Sequence, residues 1–316
     1  MAAIEPPETD PVAELLRRRP PAAALAWAAA AFGPGSRVVS VRPLSSAWLA
    51  NHAVEVADAA GTVHRVVLRR WARPGWDTED PDFTAAREAT ILELLAPTPV
   101  PAPTVVAADP AAAAGDVPAL LLTMLPGGPP DLGGDPGPLV EGLAAALPPI
   151  HAVAVPYAGP GTRVVPDFRR FYDPRALEAP AWSARPGLWR RAFELAAGPP
   201  PDERACFIHR DYHPANTLWT GGRLTGVVDW TGGSWGPPSF DLAHMRLNLA
   251  WELGLEVADR FLSAHQALTG DGYDPYWDVA AAVDCVPEVG SPGGQPEPWL
   301  ERQEELVAAA LARLGG

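Results

Sequence analysis

The sequence predicts an α+β protein with a small antiparallel sheet in its N-terminal part and a larger, mostly helical C-terminal part. Three short segments between residues 37 and 70 alternate apolar and polar residues and are separated by turns, which is typical of a strand meander. Several segments after residue 139 instead repeat apolar residues at helical spacing. The 316-residue chain is long enough for one large or two modest domains.

The N-terminal elements follow from alternation and from turn residues. Residues 13–32 favour short helices, which Pro20-Pro21 interrupts. Residues 37–44, 52–56 and 63–70 are three predicted strands, and Gly61-Thr62 turns the chain between the last two. We expect an N-terminal domain over residues 1–125, in which residues 1–36 form a leading helical segment.

The middle of the chain completes this domain and begins the next. A helix is predicted over residues 84–95, and strands are predicted over 104–106 and 119–125. A helix over 139–147 should end at Pro148-Pro149, because proline lacks the N–H group that a helix interior needs. Further helices are predicted over 242–253, 258–268, 279–283 and 303–314, so the second domain would cover residues 126–316.

The net charge of the chain argues against some classes of binding partner. The net charge is −14, which argues against nucleic acid because a nucleic-acid binder neutralises phosphates with basic patches. The acidity suits a cationic small substrate, but solubility is the commoner reason for such a net charge. All 24 basic residues are arginine, so the chain has no lysine.

Cysteine content and hydropathy suggest a cytoplasmic protein. Cys206 and Cys285 lie far apart without metal-binding or redox spacing, as free thiols do in a reducing compartment. No apolar run has the roughly 18 residues that a membrane span requires, so no membrane partner is expected.

The strongest motif is His209-x-Asp211-x-x-x-x-Asn216, which is followed by Asp229 thirteen residues after the asparagine. Kinase-type phosphoryl transfer uses such a set. One aspartate accepts the proton of the attacking hydroxyl, while an asparagine and a second aspartate hold magnesium. A predicted hairpin with its turn at residues 220–223 separates Asn216 from Asp229. The alternative is an ordinary surface loop followed by a turn.

Around this motif the sequence resembles the aminoglycoside phosphotransferase (APH)-like family, whose members have a protein-kinase-like fold with two lobes and phosphorylate hydroxyls of small molecules. The resemblance is strong over residues 205–245 and traceable over 37–155. It is carried by His209-Arg210-Asp211-Tyr212-His213-Pro214-Ala215-Asn216-Thr217-Leu218-Trp219, by Gly226-Val227-Val228-Asp229-Trp230, and by Gly236-Pro237-Pro238 with Asp241-Leu242-Ala243.

The resemblance implies a role for each matching residue. Asp211 would be the catalytic base, and Asn216 and Asp229 would bind Mg²⁺. His209 would hold the catalytic loop, and Asp241 would cap a helix and brace that loop. The groups expected at the ATP or GTP are Arg69 with its partner Glu88, Ser45 and Ser46 of the first turn, and Met124 and Leu125 beside the adenine. By the same resemblance, the segment 119–125 would be an edge strand of the sheet and the hinge between the lobes. A buried core strand without a ligand fits its apolar residues equally well.

Two departures from the family pattern leave the function open. The first turn, which covers the phosphates in related kinases, contains no glycine, and no lysine is present to contact them. Arg69 on the third strand would replace that lysine, with Arg70 facing solvent on the opposite side. The expected activity is transfer of the γ-phosphoryl group of a nucleotide to a hydroxylated small molecule. The alternatives are a pseudokinase that binds nucleotide or metabolite without turnover, and a metal-dependent hydrolase using Asp211 and Asp229.

Overall fold

The computed structural model describes residues 11–44, 48–75, 83–286 and 298–315. These residues form two compact units. The first runs up to Gly127 and also contains Thr225–Gly232, and the second contains Gly128–Leu224 and the chain from Gly233 onward. Ser45 and Ser46 lie outside the described residues.

The first unit is built on a five-stranded antiparallel sheet in the order β1-β2-β3-β5-β4. Its strands are β1 Arg37–Pro43, β2 Ala50–Ala57, β3 Val63–Arg70, β4 Val105–Asp109 and β5 Ala119–Thr123. The prediction that the apolar segment 119–125 forms an edge strand is wrong, because β5 pairs with β3 on one side and with β4 on the other. An interior strand explains why its residues are almost all apolar.

The two faces of β3 have different neighbours. Val66 and Leu68 belong to a core cluster with Val54 and Val56 of β2 and with helix α2 (Ala22–Ala30). Since side chains alternate along a strand, Arg69 lies on the other face. The break between α1 (Pro11–Arg17) and α2 falls at Pro20-Pro21, as predicted.

Helix α3 (Ala85–Leu95) and the segment Thr225–Gly232 complete the first unit. The hydroxyl of Thr84 accepts a hydrogen bond from the Arg87 amide at 3.2 Å, which caps the start of α3. Backbone and side-chain hydrogen bonds attach the start of this segment to the rest of the unit. The Val227 amide donates to the Pro101 carbonyl at 2.8 Å, and the Thr225 hydroxyl donates to the Pro126 carbonyl at 2.7 Å.

The second unit is mostly helical, which confirms the predicted division into an N-terminal sheet and a helical C-terminal part. Its helices are α4 Pro136–His151, α5 Pro186–Ala196, α6 Pro238–Leu253, α7 Leu255–Thr269, α8 Tyr276–Cys285 and α9 Pro298–Leu314. Its short strands are β6 Tyr157–Gly159, β7 Thr162–Arg163, β8 Cys206–Ile208 and β11 Ser234–Gly236. Helix α6 is buried on almost every side, as expected of a helix enclosed by neighbouring helices.

Helix α4 differs from its prediction, since it does not end at Pro148-Pro149 but continues to His151. Burial of Leu147 and Ile150 on either side of the prolines favours continuation, and tertiary packing of this kind overrides local propensity. The predicted hairpin is present as β9 (Thr217–Thr220) and β10 (Arg223–Val227). Its turn residues Gly221 and Gly222 both have positive φ, which suits a type I′ turn.

A buried ion network joins α6 to α8. The guanidinium of Arg246, which is fully buried, donates to both carboxylate oxygens of Asp278 at 2.8 and 3.1 Å. It also donates to Asp259 of α7 at 3.0 Å. Among the helices that the structure describes, none is long and apolar enough to cross a membrane.

Candidate active site

The loop after β8 carries the motif residues of the second unit. Arg210 has φ +71°, a backbone conformation that non-glycine residues seldom adopt and that often occurs at functional sites. In this conformation the amides of His209 and Arg210 both donate to the carboxylate of Asp241, at 2.9 and 2.7 Å. Asp241 is fully buried and also contacts Nε2 of His151 at 3.0 Å. The carboxylate of Asp241 therefore fixes the start of the loop from helix α6.

The predicted capping role of Asp241 is wrong. Helix α6 begins at Pro238 with Pro237 as its N-cap residue, so Asp241 lies inside the first turn. Its carboxylate is directed to the loop amides instead. A sequence motif does not distinguish these two uses of an aspartate near a helix start.

Asp211 is held by Asn216, five residues further along the loop. The Asn216 side-chain amide donates to the Asp211 carbonyl at 2.9 Å and to its Oδ2 at 3.0 Å. Because both partners are acceptors, they fix the orientation of the amide. Asn216 Oδ1 accepts no hydrogen bond from any residue that the structure describes. The Asp211 side chain is 43% exposed, so its carboxylate is accessible.

Two buried histidines approach the other oxygen of Asp211. His244 Nε2 lies 3.1 Å from Oδ1 and His213 Nε2 lies 3.7 Å from it. The His244 contact is off the hydrogen-bond direction, so it is an electrostatic contact rather than an aligned bond. No motif in the sequence marks His244, which is 28 residues beyond Asn216 on a helix.

Burial and the two histidines determine the protonation state of Asp211. Partial burial alone would raise the pKa of Asp211, but His213 and His244 hold it well below its usual range. Burial lowers the pKa of His213 to about 4, so His213 is neutral at pH 7. Asp211 is therefore an ionised carboxylate with one neutral histidine beside it.

In the first unit, Arg69 is the centre of a buried charge cluster. Its Nε donates to Glu88 Oε2 at 2.6 Å, and its Nη2 donates to Asp229 Oδ1 at 2.5 Å and to the Thr231 hydroxyl at 3.1 Å. Glu88 is 1% exposed and Arg69 5% exposed. The Arg69–Glu88 pair thus has the geometry that the family resemblance implied.

Burial and the neighbouring charges shift the pKa values of Arg69 and Glu88. Burial disfavours the charged form of Arg69, but Asp229 and Glu88 outweigh this and raise the pKa of Arg69. Burial raises the pKa of Glu88, and Arg69 opposes that shift. Asp229 has φ +64° and a side chain that is 31% exposed. In the described part of the chain no hydrogen bond involves its Oδ2, so this oxygen is available to a ligand.

The expectation that Arg70 faces solvent is wrong. Arg70 is 5% exposed and forms a hydrogen-bonded ion pair with Asp116. It lies at the end of β3 opposite Ala119 of β5, so the chain between β4 and β5 covers it. The sequence could not reveal this, because the alternation of a strand assigns a face but not what lies against it.

Met124 and Leu125, predicted to meet the nucleotide base, follow directly after β5 and are partly exposed. Among the described residues, no hydrogen bond occupies their backbone N–H and C=O groups. These groups are free to pair with a base, and that role stays a prediction.

The described residues contain no group of three or more His, Cys, Asp or Glu side chains that could hold a metal ion. Mg²⁺ usually binds one or two carboxylates and completes its shell with water and substrate phosphates. The free oxygens Asn216 Oδ1 and Asp229 Oδ2 are hard donors of the required kind.

The acidic residues of the C-terminal part differ in their surroundings. Both carboxylate oxygens of Asp278 accept hydrogen bonds from Arg246. Asp284 is 2% exposed, and neither of its carboxylate oxygens has a well-formed hydrogen bond. Burial raises the pKa of Asp284 to about 6, although Arg170 and Arg210 oppose the shift.

Comparison with known proteins identifies the family. The profile of the phosphotransferase enzyme family (APH) matches residues 40–283, which is more than half of the chain. No curated protein sequence matches.

Solved structures share the fold. A putative aminoglycoside phosphotransferase from Ralstonia eutropha has a TM-score of 0.59 at 15% identity, covering 92% of this chain and 98% of that one. A macrolide 2'-phosphotransferase from Brachybacterium faecium has a TM-score of 0.57 at 20% identity, with 92% and 96% covered. A thermostable aminoglycoside phosphotransferase mutant, in a ternary complex with ADP and hygromycin B, has a TM-score of 0.61 at 15% identity, with 92% and 99% covered. The chain belongs to the phosphotransferase enzyme family (APH).

Proposed function

We propose that the protein is a small-molecule kinase that transfers the γ-phosphoryl group of ATP or GTP to a hydroxyl of an antibiotic-like or metabolite acceptor. The observation that carries the proposal is the exposed, ionised Asp211 carboxylate, which Asn216 holds while keeping its own amide oxygen free. A structural loop has no need of this arrangement. A solved structure of the same fold contains ADP, which supports a nucleotide as co-substrate.

Each residue has a distinct task in this proposal. Asp211 orients the acceptor hydroxyl and accepts its proton as the oxygen attacks the γ-phosphorus. The bond between that phosphorus and the β,γ-bridging oxygen breaks, and the nucleoside diphosphate leaves with the bond's electron pair. Asn216 and Asp229 are the Mg²⁺ ligands. Bound Mg²⁺ would neutralise charge on the phosphate oxygens. Asp241 keeps the loop in place through the two amides it accepts from.

Arg69 is proposed to act on the phosphate side, with Glu88 fixing its guanidinium. A guanidinium is permanently charged and can serve in place of the missing lysine. Within the described residues, Nη1 of Arg69 makes no hydrogen bond and is therefore free to donate to a phosphate oxygen.

Comparison of two aspartate variants tests these assignments. We expect Asp229→Asn to weaken Mg²⁺-dependent ATP binding, measured by calorimetry or by thermal shift with and without Mg²⁺. Asp211→Asn should bind Mg²⁺–ATP nearly as the wild type does. Equal nucleotide affinity of the Asp229→Asn variant and the wild type at limiting Mg²⁺ would remove Asp229 from the metal site.

A further inference from the structure

His244 lies outside the recognised motif but at the catalytic carboxylate. It is on α6, one turn after Phe240, and is 8% exposed. The Phe240 and His244 rings are nearly parallel, with an interplanar angle of 23° and centroids 6.2 Å apart. Helix position and ring stacking together direct Nε2 of His244 to within 3.1 Å of Asp211 Oδ1.

The Asp211 carboxylate is therefore contacted on both oxygens. Asn216 donates to Oδ2 at 3.0 Å, and His244 approaches Oδ1. Without the second contact the carboxylate could rotate about the bond to its Cβ atom, since Asn216 fixes one oxygen only. A base must be held within a fraction of an ångström of its working position.

We infer that His244 is a positioning residue, which fixes the Asp211 carboxylate for the acceptor hydroxyl. This inference rests on the proposed kinase function and extends its machinery to a residue outside the motif. The tautomer with hydrogen on Nε2 matches a carboxylate neighbour. Misaligned contacts of this kind often tighten when substrate binds.

The charged and titratable groups around His244 fit this role. Asp211 and His213 face it from the loop, and Asp284 is within electrostatic reach from α8. The His213 ring meets the His244 ring edge-on at 5.8 Å. His213 lies further from Asp211 Oδ1, at 3.7 Å, so we assign the nearer contact to His244.

Two substitutions of His244 distinguish the effect of its aromatic ring from the effect of its N–H donor. His244→Phe keeps the stacking on Phe240 and removes the donor, whereas His244→Gln returns an amide donor near the position of Nε2. We expect His244→Phe to lower kcat by about 10–100-fold, as loss of an orienting partner does, with little change in the KM for ATP. His244→Gln should recover part of kcat.

The matched control is His265→Phe in the neighbouring helix α7. His265 is also buried, at 3% exposure, and makes no contact with Asp211. Its substitution should leave kcat unchanged. In an Asp211→Asn background, His244→Phe should have no further effect on kcat, because nothing remains to be positioned.

Unfolding measurements test the contact without any turnover. The stability changes of His244→Phe and Asp211→Asn should be non-additive in the double variant, since residues in contact couple. Additive changes, or a kcat within twofold of wild type in His244→Phe, would overturn the inference. Absence of phosphotransfer by the wild type together with non-additive unfolding would overturn the proposed function and retain the contact.

Discussion

Removal of the Arg69 side chain should strongly reduce the free energy of unfolding, because Arg69 neutralises the buried carboxylate of Glu88. In Arg69→Met the Glu88 carboxylate, which is 1% exposed, loses its counter-charge. Breaking a buried ion pair on one side costs about 3–5 kcal/mol, a large part of the 5–15 kcal/mol that typically stabilises a domain. Adding Glu88→Gln removes the orphaned charge and should recover most of this loss.

The loss should also depend on pH in a defined direction. Burial already raises the pKa of Glu88, and removal of Arg69 raises it further. A buried acid with a raised pKa destabilises the fold above that pKa and is harmless once protonated. The destabilisation of Arg69→Met should therefore shrink as the pH is lowered through the raised pKa of Glu88.

Urea denaturation of the single and double variants measures these effects, and Arg65→Met is the control. Arg65 lies on the same strand but is 73% exposed, and its pair with Glu55 at 3.2 Å should contribute about 0–1 kcal/mol. The double variant should fold yet bind Mg²⁺–ATP at least about tenfold more weakly, which is about 1.4 kcal/mol. Wild-type stability of Arg69→Met, or wild-type ATP affinity of the double variant, would refute the assignment of Arg69.

Two further predictions concern stability in the second unit. Gly236→Ala should lower the free energy of unfolding by about 1–3 kcal/mol, because the new Cβ atom would lie 2.4 Å from Cβ of Phe168, which cannot move aside. The control is Gly272→Ala, which should be neutral because its new Cβ atom meets nothing within 4 Å. Equal losses of stability for the two variants in denaturant would contradict the packing argument. Asp284→Asn should raise the free energy of unfolding at pH 8 by up to about 3 kcal/mol, since a folded pKa of about 6 against an ordinary value of 3.8 means that ionisation opposes folding. The gain should fall to about 0.5 kcal/mol at pH 4, near the ordinary pKa of 3.8. A gain that is equal at pH 8 and pH 4 would show that Asp284 is not charged unfavourably in the fold.

Local chemistry explains which features the sequence could predict. The strands up to Arg70 followed from alternation, and the hairpin followed from Gly221-Gly222, because both signals are contained in adjacent residues. The continuation of α4 through Pro148 was not predictable, since burial of residues on both sides outweighs the local cost of proline.

In the candidate site too, contacts within a short stretch of sequence could be predicted, whereas contacts made by tertiary packing could not. Asp211 and Asn216 lie within one short motif, and the structure shows their side chains hydrogen-bonded to each other. His244 was missed because only the packing of α6 brings it to Asp211. The environment of Arg70 likewise depends on Asp116, 46 residues away, and no local pattern reports such a contact.

³¹P NMR of phosphoryl transfer from a nucleotide to a hydroxyl is the decisive test of the proposed kinase activity. Wild type, Asp211→Asn and a Mg²⁺-free sample would be incubated with ATP or GTP and a panel of aminoglycosides, macrolides, sugars and amino alcohols. We predict a new phosphomonoester signal with at least one acceptor for the wild type only, because a positioned base contributes about 10²–10⁴-fold. A phosphomonoester formed at the same rate by Asp211→Asn, or nucleotide binding by the wild type without transfer to any member of the panel, would contradict the account.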